Sequence, residues 1–330
     1  MATRPTLEQA AQFLQAAQDV LILTHKSPDG DTLGSGFGLL HALRGMGKRA
    51  WLACSDPIPP HYAYLMGGLT DAVWEDGAGM IPQTVVAVDI ADTKLFGEKL
   101  RGFADKVQLC IDHHSSNTGY AKYLLLRPNG DLGAGGSELM LDLLETMKLP
   151  LTEQIANCLY TGLVTDTGCF RHSSTTVASH RAAEKLLQAG ADMRMIHRLA
   201  FESVSRGKVA LLVEAMQQIR YELDGRCAIL VLPRDRINAL GVADDELEGI
   251  AALPRQIEGV QVGVTLRQYK SYRGYKVSVR TDGIIDASAI CARLNGGGHR
   301  GAAGCNVEEL PLEEVYRRVL RSVEQELAGN

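Results

Sequence analysis

The sequence predicts an α/β protein: an N-terminal domain on a parallel sheet, a helical connector, and a smaller α/β domain. Three observations predict it. Over the first 190 residues, short apolar runs without polar alternation alternate with longer amphipathic segments, as strands covered on both faces by helices do. Near residue 190 the texture turns polar and amphipathic without a strand-like run. Beyond that stretch, apolar residues recur with period two, the mark of sheet with one face toward a core. The domains are accordingly expected at 1–190 and 221–330, with the connector at 191–220.

In chain order, strands are expected at 20–24, 50–54, 84–88 and 107–111, where Val, Ile, Leu and Ala dominate. Helices are expected at about 6–18, 32–46, 134–148, 152–164 and 176–189, with a short one after Asp92. Gly130, Gly133, Gly135 and Gly136 supply the loop before the 134–148 helix. A β/α succession packs as a parallel sheet between helices, and its functional loops lie at the carboxyl ends of the strands. Residues 192–220 read as a polar amphipathic helix. Strands follow at 226–232, 260–267 and 275–280, the last two as a hairpin turning at 271–274. In that hairpin Val262, Val264 and Leu266 share a buried face with Val277 and Val279, and the other face is exposed. Helices near 244–252, 286–294 and 311–327 complete the unit.

The 330 residues carry 34 Lys plus Arg against 39 Asp plus Glu, a net charge of −5 that excludes a uniformly basic nucleic-acid coat. Seven cysteines without a CxxC pair exclude a zinc ribbon and a thioredoxin-like motif. An odd number of thiols in apolar segments such as Leu109-Cys110-Ile111 suits a reducing compartment. No apolar run approaches the roughly 18 residues that span a bilayer, and residues 1–11 lack a signal-peptide pattern. A cytoplasmic location without membrane association is expected.

The ionisable residues fall at strand ends. His25-Lys26-Ser27-Pro28-Asp29-Gly30-Asp31 follows the first strand, Asp89 the third, and Asp112-His113-His114 the fourth; Asp166 closes an apolar helix. In a parallel sheet the first three segments emerge on one edge, so carboxylates and imidazoles converge. Converging carboxylates repel and resist ionisation unless positive charge sits among them. Carboxylate and imidazole without thiolate favour Mn²⁺ or Mg²⁺ over a structural zinc. Gly30 is expected to permit a tight turn that sends Asp29 and Asp31 toward neighbouring ions. Two ions about 3.5–4 Å apart, sharing a carboxylate and a water-derived nucleophile, are the usual apparatus for hydrolysing phosphate esters. Taken singly, each segment has a plainer reading: Asp92 as a helix N-cap, Asp166 as a turn residue, the His-His pair as a core feature. Four segments in this order favour the metal site.

These four segments resemble the motifs of the DHH phosphoesterase superfamily, and Asn295-Gly296-Gly297-Gly298-His299-Arg300-Gly301-Ala302-Ala303-Gly304 resembles the GGGHxxAAG signature of the DHHA1 domain. The size is similar to the short two-domain branch of nanoRNases and pAp phosphatases rather than to the longer RecJ exonucleases. The resemblance implies two divalent cations, with Mn²⁺ expected and Mg²⁺ or Co²⁺ as alternatives. His25, Asp29 and Asp89 would hold one; Asp31, Asp89, His113 and Asp166 would hold the other. His114 would face the scissile phosphate, Asp112 would orient a histidine, and His299 would reach the substrate from the second domain. Relatives often carry arginine near Lys94, which receives no role.

Residues 267–300 hold Arg267, Lys270, Arg273, Lys276, Arg280, Arg293 and Arg300 against Asp282 and Asp286, a local balance of +5 (seven minus two). Tyr269, Tyr272 and Tyr275 are interleaved. Cations for phosphates and rings for bases suit short single strands. The resemblance places a phosphate-binding Ser278 and Arg280 here, and the amides of Gly296, Gly297 and Gly298, followed by His299 and Arg300, form an expected anion-binding loop. The expected function is metal-dependent hydrolysis of short oligonucleotides, including linear dinucleotides such as pApA and pGpG, or of 3′-phosphoadenosine 5′-phosphate. As the family implies, chains of roughly two to five nucleotides would be selected by the size of the site. Alternatives are a pyrophosphatase or polyphosphatase with the same ions, or a nucleotide-sensing binding protein. A homodimer is compatible with the sequence.

Overall fold

A computed structural model describes residues 2–74, 81–127, 135–172, 174–247 and 249–329. Five short strands form the first sheet because each is apolar on both faces and each must be covered twice. They are β1 (Val20–Leu23), β2 (Ala50–Ala53), β3 (Thr84–Val88), β4 (Leu109–Asp112) and β5 (Tyr123–Leu126), in the order β2-β1-β3-β4-β5. All pairings are parallel. In β1, Val20 and Ile22 enter one core while Leu21 and Leu23 enter another on the opposite face, which explains the missing polar alternation. Strand β5 was not among the expected strands; its four residues are apolar without alternation, a run too short for pattern alone to separate strand from helix.

The helices are α1 (Leu7–Ala16), α2 (Gly30–Gly45), α3 (Gly97–Leu100), α4 (Gly135–Thr146), α5 (Glu153–Asp166), α6 (Val177–Gln188) and α7 (Met193–His197). Thr6, Thr152 and Thr176 cap α1, α5 and α6 with side-chain oxygens. Asp92 is likewise a cap, accepting the Lys94 N–H at 2.8 Å at the start of a 3₁₀ turn (Thr93–Phe96). Gly130 and Gly133, assigned to the loop before α4, lie outside the described residues.

The glycines of α2 have a steric purpose. Gly30, Gly34 and Gly38 recur every four residues and so share a face, which packs on α5. A Cβ on Gly34 would collide with the Cys158 carbonyl oxygen and stand 2.8 Å from the Gly162 nitrogen. Gly30 does not make the tight turn the sequence suggested but opens α2 without a positive φ; its missing Cβ makes room for the Thr165 side chain. Because Asp31 lies in the first turn of α2 and Asp166 ends α5, this close approach fixes the separation of two candidate site residues.

The chain divides into two compact units, Met1–Ser203 and Val204–Asn330, a division inside the segment expected as connector. That segment is not one helix. It comprises α7, a π-helical turn (Arg198–Glu202) and α8 (Arg206–Gln217), which Ser205 caps through the Lys208 N–H.

The second unit holds β6 (Arg220–Glu222), β7 (Cys227–Leu232), α9 (Arg234–Ala239), β8 (Val262–Gln268), β9 (Gly274–Thr281), α10 (Ala287–Ala292), β10 (Gly297–His299), β11 (Ala302–Glu308) and α11 (Leu312–Ala328). Its mixed sheet runs β10-β11-β9-β8-β7-β6, with β7 and β8 parallel. The β8–β9 register pairs Val264 with Val279 and Leu266 with Val277, as the alternation requires. Its other face is less exposed than expected: Gly263 and Thr265 are buried, and the backbone of Arg255 lies directly over Gly263. The helix expected near 244–252 is instead two 3₁₀ turns, interrupted by Gly249 at φ +81° and stopped before Pro254. Valines 315, 319 and 323 give α11 a buried stripe at four-residue spacing.

Gly34→Ala should lower the unfolding midpoint of the first unit, at a cost of about 1–3 kcal/mol for an overpacked helix contact. Gly45→Ala, at a position with nothing within 4 Å of the added methyl, should not. Equal midpoints for Gly34→Ala and wild type in thermal unfolding would show that α2 and α5 have room to spare.

Candidate metal centre

Three adjacent strands of the first sheet, β1, β3 and β4, deliver ionisable residues at their carboxyl ends, where the backbone leaves the ladder. His25 lies two residues beyond β1, Asp89 directly beyond β3, and Asp112 is the last residue of β4, followed by His113 and His114. Asp29 caps α2, its Oδ1 accepting the N–H groups of Asp31 (3.0 Å) and Thr32 (3.1 Å). Asp166 ends α5.

Asp89 is the centre of the cluster. It is 3% exposed and adopts φ +58°, a left-handed conformation rare for a residue with a side chain. One oxygen, Oδ2, lies 3.6 Å from His25 Nε2; the other, Oδ1, lies 3.4 Å from both His113 Nε2 and His114 Nδ1. Oδ1 is buried and accepts no well-aligned hydrogen bond. A buried anionic oxygen left in that state demands another positive partner.

Around it the ligand-type atoms group within 4.8 Å of one another in three sets: His25, Asp29 and Asp89; Asp31, His113 and Asp166; and Asp89 with Asp112, His113 and His114. All six residues expected as metal ligands therefore stand together. Several are already oriented. The Nδ1–H of His25 donates to the Lys26 carbonyl at 2.8 Å, which turns Nε2 toward Asp29 and Asp89. Asp112, fully buried, accepts His114 Nδ1 at 2.8 Å and the backbone N–H groups of His113 and His114. His114 is the histidine that Asp112 orients, and its ring remains 43% exposed. Carboxylates and imidazoles without a thiolate, around an orphaned carboxylate oxygen, fit hard divalent cations.

The electrostatics follow from crowding. Burial opposes charge on His25, but Asp29 and Asp89 outweigh it and raise its pKa to about 10. The hydrogen bond to Asp112, then Asp89, raises His114 to about 11. Burial also opposes charge on His113, and Asp89 and Asp31 again win, lifting it above the ordinary range. Burial would raise Asp89, but the three histidines hold it well below the usual carboxylate range. Burial, then the charges of Asp89 and Asp166, push Asp31 up; burial pushes Asp166 up as well.

Three supporting residues escaped the sequence reading. Asn117 Nδ2 donates to Asp112 Oδ2 at 2.6 Å and to the Ile90 carbonyl at 3.2 Å. Its only signal is a polar side chain five residues after Asp112. Ser35 and Ser137 meet beside Asp31, and nothing in a sequence links positions 102 apart.

In the second unit, Gly297 and Gly298 lie on the edge strand β10 rather than in a free loop, and the Gly296 N–H donates to the Cys291 carbonyl at 2.9 Å. Gly296 is glycine because a Cβ would strike the Gly304 carbonyl and Cys305. The register aligns His299, Ala302 and Arg280 in one row, and Gly297, Gly304 and Ser278 in the next. Both rows lie on the face opposite Val279 and Ala303, which enter the core. Three polar side chains thus border a floor of Ala and Gly. Burial lowers the Arg280 pKa, and its Nη1 donates to the Val279 carbonyl at 3.0 Å. Arg300 is turned away, donating to the carbonyls of Gly283 (2.7 Å) and Ile284 (3.2 Å). The basic-aromatic clamp is smaller than expected. Tyr275 is a core residue, Lys270 pairs with Asp244 at 2.8 Å, and Arg293 pairs with Glu326 at 2.6 Å.

Known proteins share this architecture. The model of the DHH family, N-terminal domain, matches residues 19–163, and that of the DHHA1 domain matches residues 225–329. The chain is 32% identical, over 96% of its length and 93% of the relative's, to the bifunctional oligoribonuclease and PAP phosphatase NrnA of Thermus thermophilus. It is 24% identical to a probable enzyme of the same name from Streptococcus mutans, over 93% of this chain and 95% of the relative. An exopolyphosphatase-related protein from Bacteroides fragilis shares the fold at a TM-score of 0.85 and 23% identity, covering 97% of this chain and 95% of that one.

His25 and His114 bind protons more tightly folded than unfolded. Their contribution to stability is full below the unfolded pKa of about 6.5 and is lost as pH rises through the folded values. Metal-free protein should therefore melt at lower temperature at about pH 10 than at about pH 8, and Asp89→Asn should flatten that slope. Parallel melting curves for the two proteins against pH would show that these ion pairs do not form.

Proposed function

The chain belongs to the DHH family, and from that membership we propose that it hydrolyses phosphoester bonds in short oligonucleotides and in 3′-phosphoadenosine 5′-phosphate, using two divalent cations. Phosphoester hydrolysis with divalent metals is the chemistry of the family. The substrate assignment is supported by the names of the NrnA relatives, which this chain matches over nearly its whole length. The observation that carries the two-cation reading is the placement of Asp89, whose two oxygens face two separate ligand sets.

In this proposal His25, Asp29 and Asp89 hold one ion, and Asp31, Asp89, His113 and Asp166 the other. Mn²⁺ suits the mixture of carboxylate and imidazole, with Mg²⁺ and Co²⁺ as the ions to compare. Bound there, the cations would supply Lewis acidity toward a phosphoryl oxygen and lower the pKa of water at the site. The protein's own groups do the rest. Asp112 fixes the ring of His114 through Nδ1 and leaves Nε2 on the exposed side. With Nδ1–H held on Asp112, a protonated ring presents Nε2–H to a phosphate or to a departing oxygen. Ser278, Arg280 and His299 are the proposed substrate-binding side chains of the second unit, with Gly297, Ala302 and Gly304 keeping the floor low between them. Gly296 and Gly298 allow β10 to approach β11, and Arg300 braces the adjoining turn.

With Mn²⁺ supplied, 3′-phosphoadenosine 5′-phosphate, pApA, pGpG and a five-mer should turn over, whereas a long single strand should be spared. Asp89→Ala should cut turnover by on the order of 10³, the upper range for loss of one electrostatic group. Undiminished hydrolysis by Asp89→Ala in chelator-treated buffer would end the two-cation reading. Because His25 and His113 must lose protons to bind a cation, Mn²⁺ affinity should rise with pH and binding should release protons. Calorimetric enthalpies that are identical in buffers of different ionisation heat would contradict this.

A further inference from the structure

We infer that Ser137 is a positioning residue for Asp31, and that its hydroxyl together with the first amides of α4 sets the carboxylate on which one of the two cation sets depends. The inference rests on the ligand assignment proposed above and adds a residue to it.

Asp31 is 3% exposed, and the donors on it come from one direction. Oδ2 accepts the Gly136 N–H at 2.6 Å; Oδ1 accepts the Ser137 N–H at 3.0 Å and the Ser137 hydroxyl at 2.7 Å. On the other side, Oδ2 faces His113 Nε2 at 3.8 Å. Three donors in fixed positions prevent the carboxylate from rotating, so the edge turned toward His113 and Asp166 stays constant.

The direction of the hydroxyl protons follows from what each group can do. With Asp31 ionised its oxygens only accept, so the Ser137 hydroxyl donates to Asp31 Oδ1. Ser35 Oγ, 2.9 Å from Ser137 Oγ, then donates to Ser137, and its own distance to Asp31 Oδ1 is 3.4 Å. The chain runs Ser35 to Ser137 to Asp31, with all three residues buried. A separate feature points the same way. Gly162 on α5 faces this hydroxyl, and a Cβ there would collide with Ser137 Oγ and stand 2.7 Å from Asp31 Oδ1. A side chain at 162 is thus incompatible with the hydroxyl and carboxylate as they stand. Outer partners that orient a ligating side chain typically change metal affinity by about 10–100-fold.

The test is a calorimetric Mn²⁺ titration of full-length protein stripped with chelator, with circular dichroism confirming the fold of each variant. Wild type should take up two ions. Ser137→Ala should weaken one of them by about 10–100-fold and leave the other near its wild-type value. The Mn²⁺ concentration for half-maximal turnover should rise while kcat at saturating Mn²⁺ returns toward wild type. In an Asp31→Asn background, Ser137→Ala should change nothing further. Ser35→Ala should shift the same ion in the same direction by less, and decides the matter if Ser137→Ala does not fold. Unchanged affinities for both ions in Ser137→Ala, or an equal loss in the Asp31→Asn background, would overturn the assignment. A wild type that fails to bind two ions would instead remove the proposed function on which it rests.

Discussion

The first unit is organised around the mutual repulsion of Asp29, Asp31, Asp89 and Asp166, held close to one another and mostly shielded from water. Left alone, like charges at this spacing disfavour ionisation and would unpack the elements that carry them. Three imidazoles answer part of that charge, which is why Asp89 is driven well below the usual carboxylate range while Asp31 and Asp166 are driven above it. The residual imbalance is a stored preference for cations. In the function proposed above, that imbalance is what holds the cations.

Holding repelling groups together takes rigid supports. The sheet supplies the first, since β1, β3 and β4 are adjacent and parallel and therefore end on one edge. The α2–α5 contact supplies the second: three glycines on one face of α2 bring the two backbones close enough that Asp31 and Asp166 reach the same histidine. Backbone strain at Asp89, hydrogen bonds into Asp112, and the Ser35–Ser137 relay are local versions of the same requirement. Each takes rotational freedom from a carboxylate before any ion arrives, so little reorganisation remains for binding.

The second unit sets polar side chains around a floor of small residues, the arrangement on which its proposed substrate-binding role rests. Alternation in β9 and β11 sends valines, Cys305 and Ala303 inward, leaving Ser278, Arg280 and the small residues Ala302 and Gly304 on the other face. A glycine-rich edge strand then adds His299 to the same row. Several cations that look available in the sequence are already engaged within the unit: Lys270 with Asp244, Arg293 with Glu326, and Arg300 with main-chain carbonyls. Residues 267–300 carry a local excess of positive charge, but a small set of side chains is free to use it.

Much of this was legible from residue order alone, for a simple reason. Strands buried on both faces must be apolar throughout, and their carboxyl ends must carry the chemistry, so His25, Asp89 and the Asp112-His113-His114 segment announce themselves by position. The β8–β9 register follows equally from period two. Other features depend on contacts between distant positions and leave no local trace. Gly30 looked like a turn glycine and is a packing glycine, because only the path of α5 places Thr165 against it. Gly297 and Gly298 looked like loop and belong to an edge strand, because its partner β11 opens with Ala302-Ala303-Gly304, invisible to a pattern based on bulky apolar side chains. Ser137 could not have been found at all, since its importance lies in a hydroxyl that meets Asp31 across 106 positions of chain. Residue order determined which groups exist and at which end of which strand; tertiary packing alone decided which of them touch, because contact between remote segments is set by steric fit and not by spacing along the chain.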